Sequence, residues 1–236
     1  MPAPSKIEGE PFGPPTIAQN LRGAQWIVAS CIGATGMSVA VRYLSVDMHT
    51  VQIAFLRSVL GLWVLIPILM TRPDASGQRL RFSRPWLHLL RGVLFVIALN
   101  AGFYALSALP LATATTLFFM APVFATLLAA VFGQEAFGPR RATAIAAAFI
   151  GVLIVLRPGF DAFSWPMILA VTSALCFSVA LLISRPLSQA DGATSILVSS
   201  SVIASITMAV PVFWLWTPVG VELWGFVALL VFASSL

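Results

Sequence analysis

The sequence has 236 residues, of which 59% are hydrophobic and 9% charged, with a formal net charge of +5. Soluble domains carry roughly 25% charged residues, and a chain of this size could not hide so much apolar surface from water. Composition therefore excludes a soluble enzyme, and a single lysine with arginines scattered through short segments excludes a surface that tracks nucleic-acid phosphates. In lipid every backbone polar group needs an internal partner, so the spans are helices or a closed barrel. Barrel strands alternate apolar and polar residues, whereas the long runs here are apolar on every face. The expected fold class is all-α, a polytopic transmembrane helical bundle.

Residues 1–23 are rich in Pro and Gly, lack apolar periodicity and read as a disordered tail. A span needs about 20 apolar residues in helix. The first covers Ala24–Val41, with Ser30, Ala34 and Ser38 at a four-residue spacing that lets helices approach closely. Arg42–Thr50 is a short loop, and the second span covers Val51–Met70 with Arg57 about two turns inside it. The most basic loop, Thr71–Trp86, follows. Three central spans come next, Leu87–Leu109, Ala112–Phe132 and Ala142–Leu156. The sixth is Trp165–Ile183, and Ser184–Ala193 reads as a polar loop holding Arg185 and Asp191. A seventh span, Ile196–Trp216, ends in Phe213, Trp214 and Trp216, aromatics that suit a lipid–water interface. An eighth begins near Leu223 and is expected to be cut short at Leu236.

Arginine placement sets the expected orientation. With the N-terminus in the cytoplasm, Lys6, Arg22, Arg72, Arg79, Arg81, Arg84, Arg140, Arg141 and Arg185 lie inside, and only Arg42 and Arg157 fall in outside loops. Cys31 and Cys176 fall inside apolar runs and are expected as buried thiols rather than a disulfide or a metal pair, and His49 and His88 have no metal-ligand spacing, so no metal or cofactor is expected.

The central stretch carries Phe55-Leu56-Arg57, Tyr104-Ala105-Leu106, the run Ala112–Thr116, Ala121-Pro122-Val123-Phe124, Glu135, Gly151 and Leu156-Arg157-Pro158-Gly159, in that order. In this pattern the chain resembles the EamA-type permeases of the drug/metabolite transporter superfamily. The resemblance implies inverted five-helix repeats, with a first repeat over 24–158 and an incomplete second over 159–236. It also implies a substrate site at the repeat interface near the membrane midplane.

Arg57 is the first candidate for the substrate pathway, because a charged side chain within a span usually faces a partner or a wet cavity. Its alternatives are snorkelling to the outer interface or pairing with Asp47 or Glu222. Arg91, one turn into its span, is expected to snorkel. Asn100 and Tyr104 lie four apart on one helical face, with Ser107 three further on; this stripe either lines the pathway or bonds neighbouring helices. Trp63 and Phe119 would suit a planar moiety or simply pack, and Pro122 would bend its span and bare carbonyls to a cavity. Glu135 is expected to pair with Arg140 or Arg141.

No acid lies within any span so defined, which favours a zwitterionic or anionic cargo over cationic drugs. The expected function is a secondary transporter, a permease of the bacterial inner membrane moving small metabolites such as amino acids by alternating access. The alternative within that class is an uptake carrier for a cofactor-like molecule, a flavin or S-adenosylmethionine. An intramembrane enzyme lacks its catalytic pair, and a non-transporting membrane partner subunit is the rival of another class. The expected partners are the lipid bilayer and a small-molecule substrate, with a homodimer as the assembly and no nucleic acid.

Overall fold

The structure, a computed structural model, describes residues 17–71, 80–132, 138–156 and 164–235. The described residues form helices and connecting turns, with no strand among them. The helices are α1 (Ile17–Leu44), α2 (Thr50–Thr71), α3 (Pro85–Ala108), α4 (Leu111–Phe118), α5 (Met120–Val131), α6 (Pro139–Leu156), α7 (Trp165–Leu215) and α8 (Trp224–Ser235). Among the described residues Gly23–Leu44, Pro85–Ala108, Leu111–Val131 and Trp165–Leu215 are long and apolar enough to cross a bilayer, and shorter apolar helices accompany them.

α1 begins at Ile17, within the 1–23 stretch read as a disordered tail. Two further helices depart from the expected spans, each for a local reason. The fourth span is divided into α4 and α5 at Phe119. Pro122, three residues on, has no N–H for the Phe118 carbonyl, and its ring crowds that carbonyl. The ladder loses that one bond, while the Phe119 N–H keeps its ordinary helical bond to the Thr115 carbonyl at 3.1 Å and Phe119 itself stays near helical geometry, at φ −64° and ψ −10°. The second departure corrects the polar loop read at Ser184–Ala193: those residues are helical, and only Gly192 leaves helical geometry, at φ 80° and ψ 156°. That conformation is essentially confined to glycine. A straight helix as long as α7 would measure about 76 Å, far more than the roughly 30 Å of a hydrocarbon core. Gly192 is therefore a one-residue hairpin apex between two spanning arms.

The hairpin organises the bundle. α3 packs most extensively against α7, and α2 and α5 also lie on it. The core contains Ile53 and Ala54 of α2, Leu99, Phe103 and Leu106 of α3, Ala170, Ala174, Ala204 and Met208 of α7, and Val227 and Leu230 of α8. Small residues set the closest approaches. A Cβ on Gly92 would lie 2.4 Å from Ile203 Cδ1, and one on Gly102 would lie 2.8 Å from Ser173 Oγ. Away from this core large apolar side chains are exposed, among them Trp26, Ile32, Ile150, Ile154, Ile206 and Phe213. Such a surface is stable only against lipid, so the chain is a multi-pass membrane protein embedded in a bilayer.

Candidate functional site

Polar side chains buried in this bundle gather in three places. The first is the N-terminal end of α3, beside the α7 apex. His88, only 3% exposed, donates from Nε2 to Asp191 Oδ2 at 3.0 Å. Its Nδ1 is hydrogen-bonded to Ser199 Oγ at 2.9 Å, and the Phe82 ring stands edge-on to the imidazole. The Ser83 N–H donates to both Asp191 oxygens at 3.1 Å, and the Arg81 N–H donates to Ser195 Oγ at 3.1 Å. One turn along α3, Arg91 donates from Nε to Ser184 Oγ at 2.6 Å and from Nη1 to Ser200 Oγ. Burying an acid and its base together avoids stranding either charge, and the extra hydrogen bonds satisfy the carboxylate's remaining lone pairs.

The second place is the opposite end of the same helices. Gln52, fully buried in the first turn of α2, donates from Nε2 to the Thr217 carbonyl at 2.7 Å. Its Oε1 accepts from the Thr217 N–H at 3.0 Å and from Thr217 Oγ1 at 2.9 Å. Arg42 donates to the carbonyls of Leu106 and Leu109, orphan acceptors at the C-terminus of α3.

Between these ends, among the described residues, two buried polar side-chain atoms lack a hydrogen-bond partner, Arg57 Nε and Asn100 Oδ1. The Arg57 guanidinium lies 5.6 Å from the centre of the Phe95 ring, a cation–π contact. Its Nε is buried without a hydrogen-bond partner. Among the described residues neither Asp47 nor Glu222 pairs with it. Asn100 donates from Nδ2 to the Val96 carbonyl of its own helix at 2.9 Å, which leaves Oδ1 buried and unpartnered. The assignment of the amide is forced, because a carbonyl can only accept. Buried polar atoms without partners are rare and mark either strain or an absent ligand.

The remaining candidates scatter. Tyr104 is 42% exposed, and Ser107 spends its hydroxyl on the Tyr104 carbonyl of its own helix at 2.8 Å. Trp63, 71% exposed, lines an apolar groove of about 380 Å³ between α2 and α8, facing Trp224 and Phe232. Pro122 is exposed next to its helix break, and Phe119 is 74% exposed. Arg91 is not a snorkelling residue, since it turns into the bundle toward two serines. Glu135 lies outside the described residues, as do the side chains of Arg140 and Arg141 and the 1–16 part of the tail. The sequence reading missed the union of His88 with Asp191: no acid lies within the spans it defined, and Asp191, read as a loop residue, is buried beside the apex between two arms. The available signal was Gly192 beside an acid: one glycine after a helical run can be a hairpin apex, which turns a neighbouring polar residue inward.

A sequence profile described as the EamA-like transporter family matches residues 21–157, more than half of the chain. The S-adenosylmethionine uptake transporter of Rickettsia felis is 29% identical over 206 residues, covering 86% of this chain and 68% of the relative. The riboflavin transporter of Rhizobium johnstonii is 32% identical over 169 residues, covering 70% and 54%. Human solute carrier family 35 member G1 is 33% identical over 118 residues, covering 48% and 31%. The extent of the profile match and the lipid-facing helical bundle agree: this chain belongs to the EamA-like transporter family.

Proposed function

We propose that the chain is an uptake carrier for a cofactor-like metabolite that combines a planar heteroaromatic ring with an oxygen acceptor and an N–H donor. The observation that carries this reading is the pair of buried, unpartnered atoms, Arg57 Nε and Asn100 Oδ1. One is a donor and the other an acceptor, and the Phe95 face lies beside the guanidinium. S-adenosylmethionine offers a carboxylate and an adenine amine, and riboflavin offers ring carbonyls and a ring N–H. Each compound therefore carries an acceptor that suits Arg57 Nε and a donor that suits Asn100 Oδ1. Relatives named for these two compounds support this class over the smaller amino acids that the sequence put first.

The pathway residues in this reading are Arg57 and Asn100, with Tyr104, Ser107, Trp63 and Pro122 as peripheral contributors. The first repeat covers 24–158 and the second begins at 159, with one rocking against the other in alternating access. The N-terminus lies in the cytoplasm of a bacterial inner membrane. Arg81, Arg84 and Arg185 then share the cytoplasmic end with the His88 cluster, while Arg42 serves the outer end.

Uptake of labelled S-adenosylmethionine, riboflavin and mixed amino acids into right-side-out vesicles tests the reading. One of the first two compounds should accumulate. Arg57→Ala should cut its uptake about tenfold or more, the scale of a charge-assisted hydrogen bond, and Arg57→Lys should restore part of it. Accumulation of amino acids alone would return the reading to the smaller class.

A further inference from the structure

The buried polar cluster at the α3 N-terminal end divides unequally between the two arms of α7. On the arm before Gly192, Asp191 is held by His88 and by the Ser83 N–H, and Ser184 is held by Arg91. Deeper in the bundle, Ser173 donates to the Ala98 carbonyl at 2.7 Å and Ser178 to the Ala121 carbonyl at 2.7 Å. The arm after Gly192 meets the same end of α3 through hydroxyls: Ser195 with the Arg81 N–H, Ser199 with His88 and Ser200 with Arg91. His88 and Arg91 thus each bridge both arms.

We infer that α7 hinges at Gly192, that its second arm swings away from α3 while its first arm stays fixed, and that Ser195, Ser199 and Ser200 form the gate at this end. The inference rests on the alternating-access reading and names its moving part. Separation of the second arm strands no charge. His88 keeps Asp191 and Arg91 keeps Ser184, while the bonds of Ser195, Ser199 and Ser200 to this end of α3 end on hydroxyls that entering water replaces at little net cost. The hinge is already present, because Gly192 interrupts the helical ladder in a conformation that side chains oppose. At the other end, the chain just beyond the second arm is held by the three hydrogen bonds between Gln52 and Thr217. The moving arm is therefore latched at both ends, to α3 at one and to α2 at the other, and release of either latch opens one side of the bundle.

Cysteine labelling tests this without any substrate. In the full chain carrying Cys31→Ser and Cys176→Ser, Ser200→Cys reports on the second arm and Ser178→Cys on the first. An impermeant maleimide is applied to vesicles of either orientation. Ser199→Ala, which removes one gate bond and leaves the His88–Asp191 anchor, should speed labelling of Ser200→Cys about fivefold from one membrane face, the scale of one neutral hydrogen bond. Labelling of Ser178→Cys should not change. Gln52→Leu, which weakens the opposite latch, should slow labelling of Ser200→Cys from that face. An equal rise at both reporters, or no rise at Ser200→Cys, would overturn the hinge. If Ser200→Cys fails to accumulate, Ser195→Cys reports the same arm with the same two outcomes. Expected labelling with no uptake of either labelled compound would overturn the substrate class alone.

Discussion

His88 and Asp191 stand 103 residues apart in the chain and 3.0 Å apart in the fold. With both side chains buried, removal of one strands the other. Asp191→Ala should therefore destabilise the protein by about 3–5 kcal/mol, read by denaturant unfolding in detergent. Replacing both by leucine should recover part of that loss, because no unpaired charge is then left behind. Simple additivity of the two single changes would show that the pair is not coupled. Arg57 is the opposite case. Its oddity is visible in the sequence, as a cation within an apolar run, and the structure leaves its Nε buried and unpartnered. A charge is legible when its flanks are apolar. Asp191 was not, because Arg185, Ser188, Gln189 and Gly192 surround it and the stretch has the composition of a loop.

At the scale of the helix, proline and glycine placed the interruptions. Pro122 points to a break in the fourth span, and the break falls at Phe119, a turn earlier, because the carbonyl that proline leaves without a donor lies four residues back. Gly92 serves the packing of α3 on the second arm of α7. An added methyl would meet Ile203 Cδ1 at 2.4 Å and Ile203 Cβ and Cγ2 at 3.0 Å. Gly92→Ala should cost about 1–3 kcal/mol through overpacking, and Ile203→Ala in the same chain should relieve it, as measured by thermal unfolding in detergent. If Ile203→Ala brings no relief, the two helices do not meet there as described. Neither contact partner was legible, since helix-facing positions in an all-apolar run carry no periodicity to show which neighbour they meet.

The whole molecule is stable because its outer face meets lipid. α6 shows this most plainly, with Phe149, Ile150 and Ile154 about half or more exposed. Ile150→Arg should disfavour membrane insertion of that helix by about 3 kcal/mol, measured as the fraction of inserted chain in a glycosylation-mapping assay. Unchanged insertion would place α6 against protein or water instead. Membrane residence, helical class and family were all settled by the sequence itself. Each span satisfies its own backbone hydrogen bonds and meets lipid along its length, so its fate depends on local composition. The helical course of Ser184–Asp191 up to the Gly192 apex, the latch of Gln52 on Thr217 and the union of His88 with Asp191 were decided by tertiary structure. These depend on which helices become neighbours, and where lipid and protein interior are equally apolar, hydropathy does not distinguish a face that meets one from a face that meets the other.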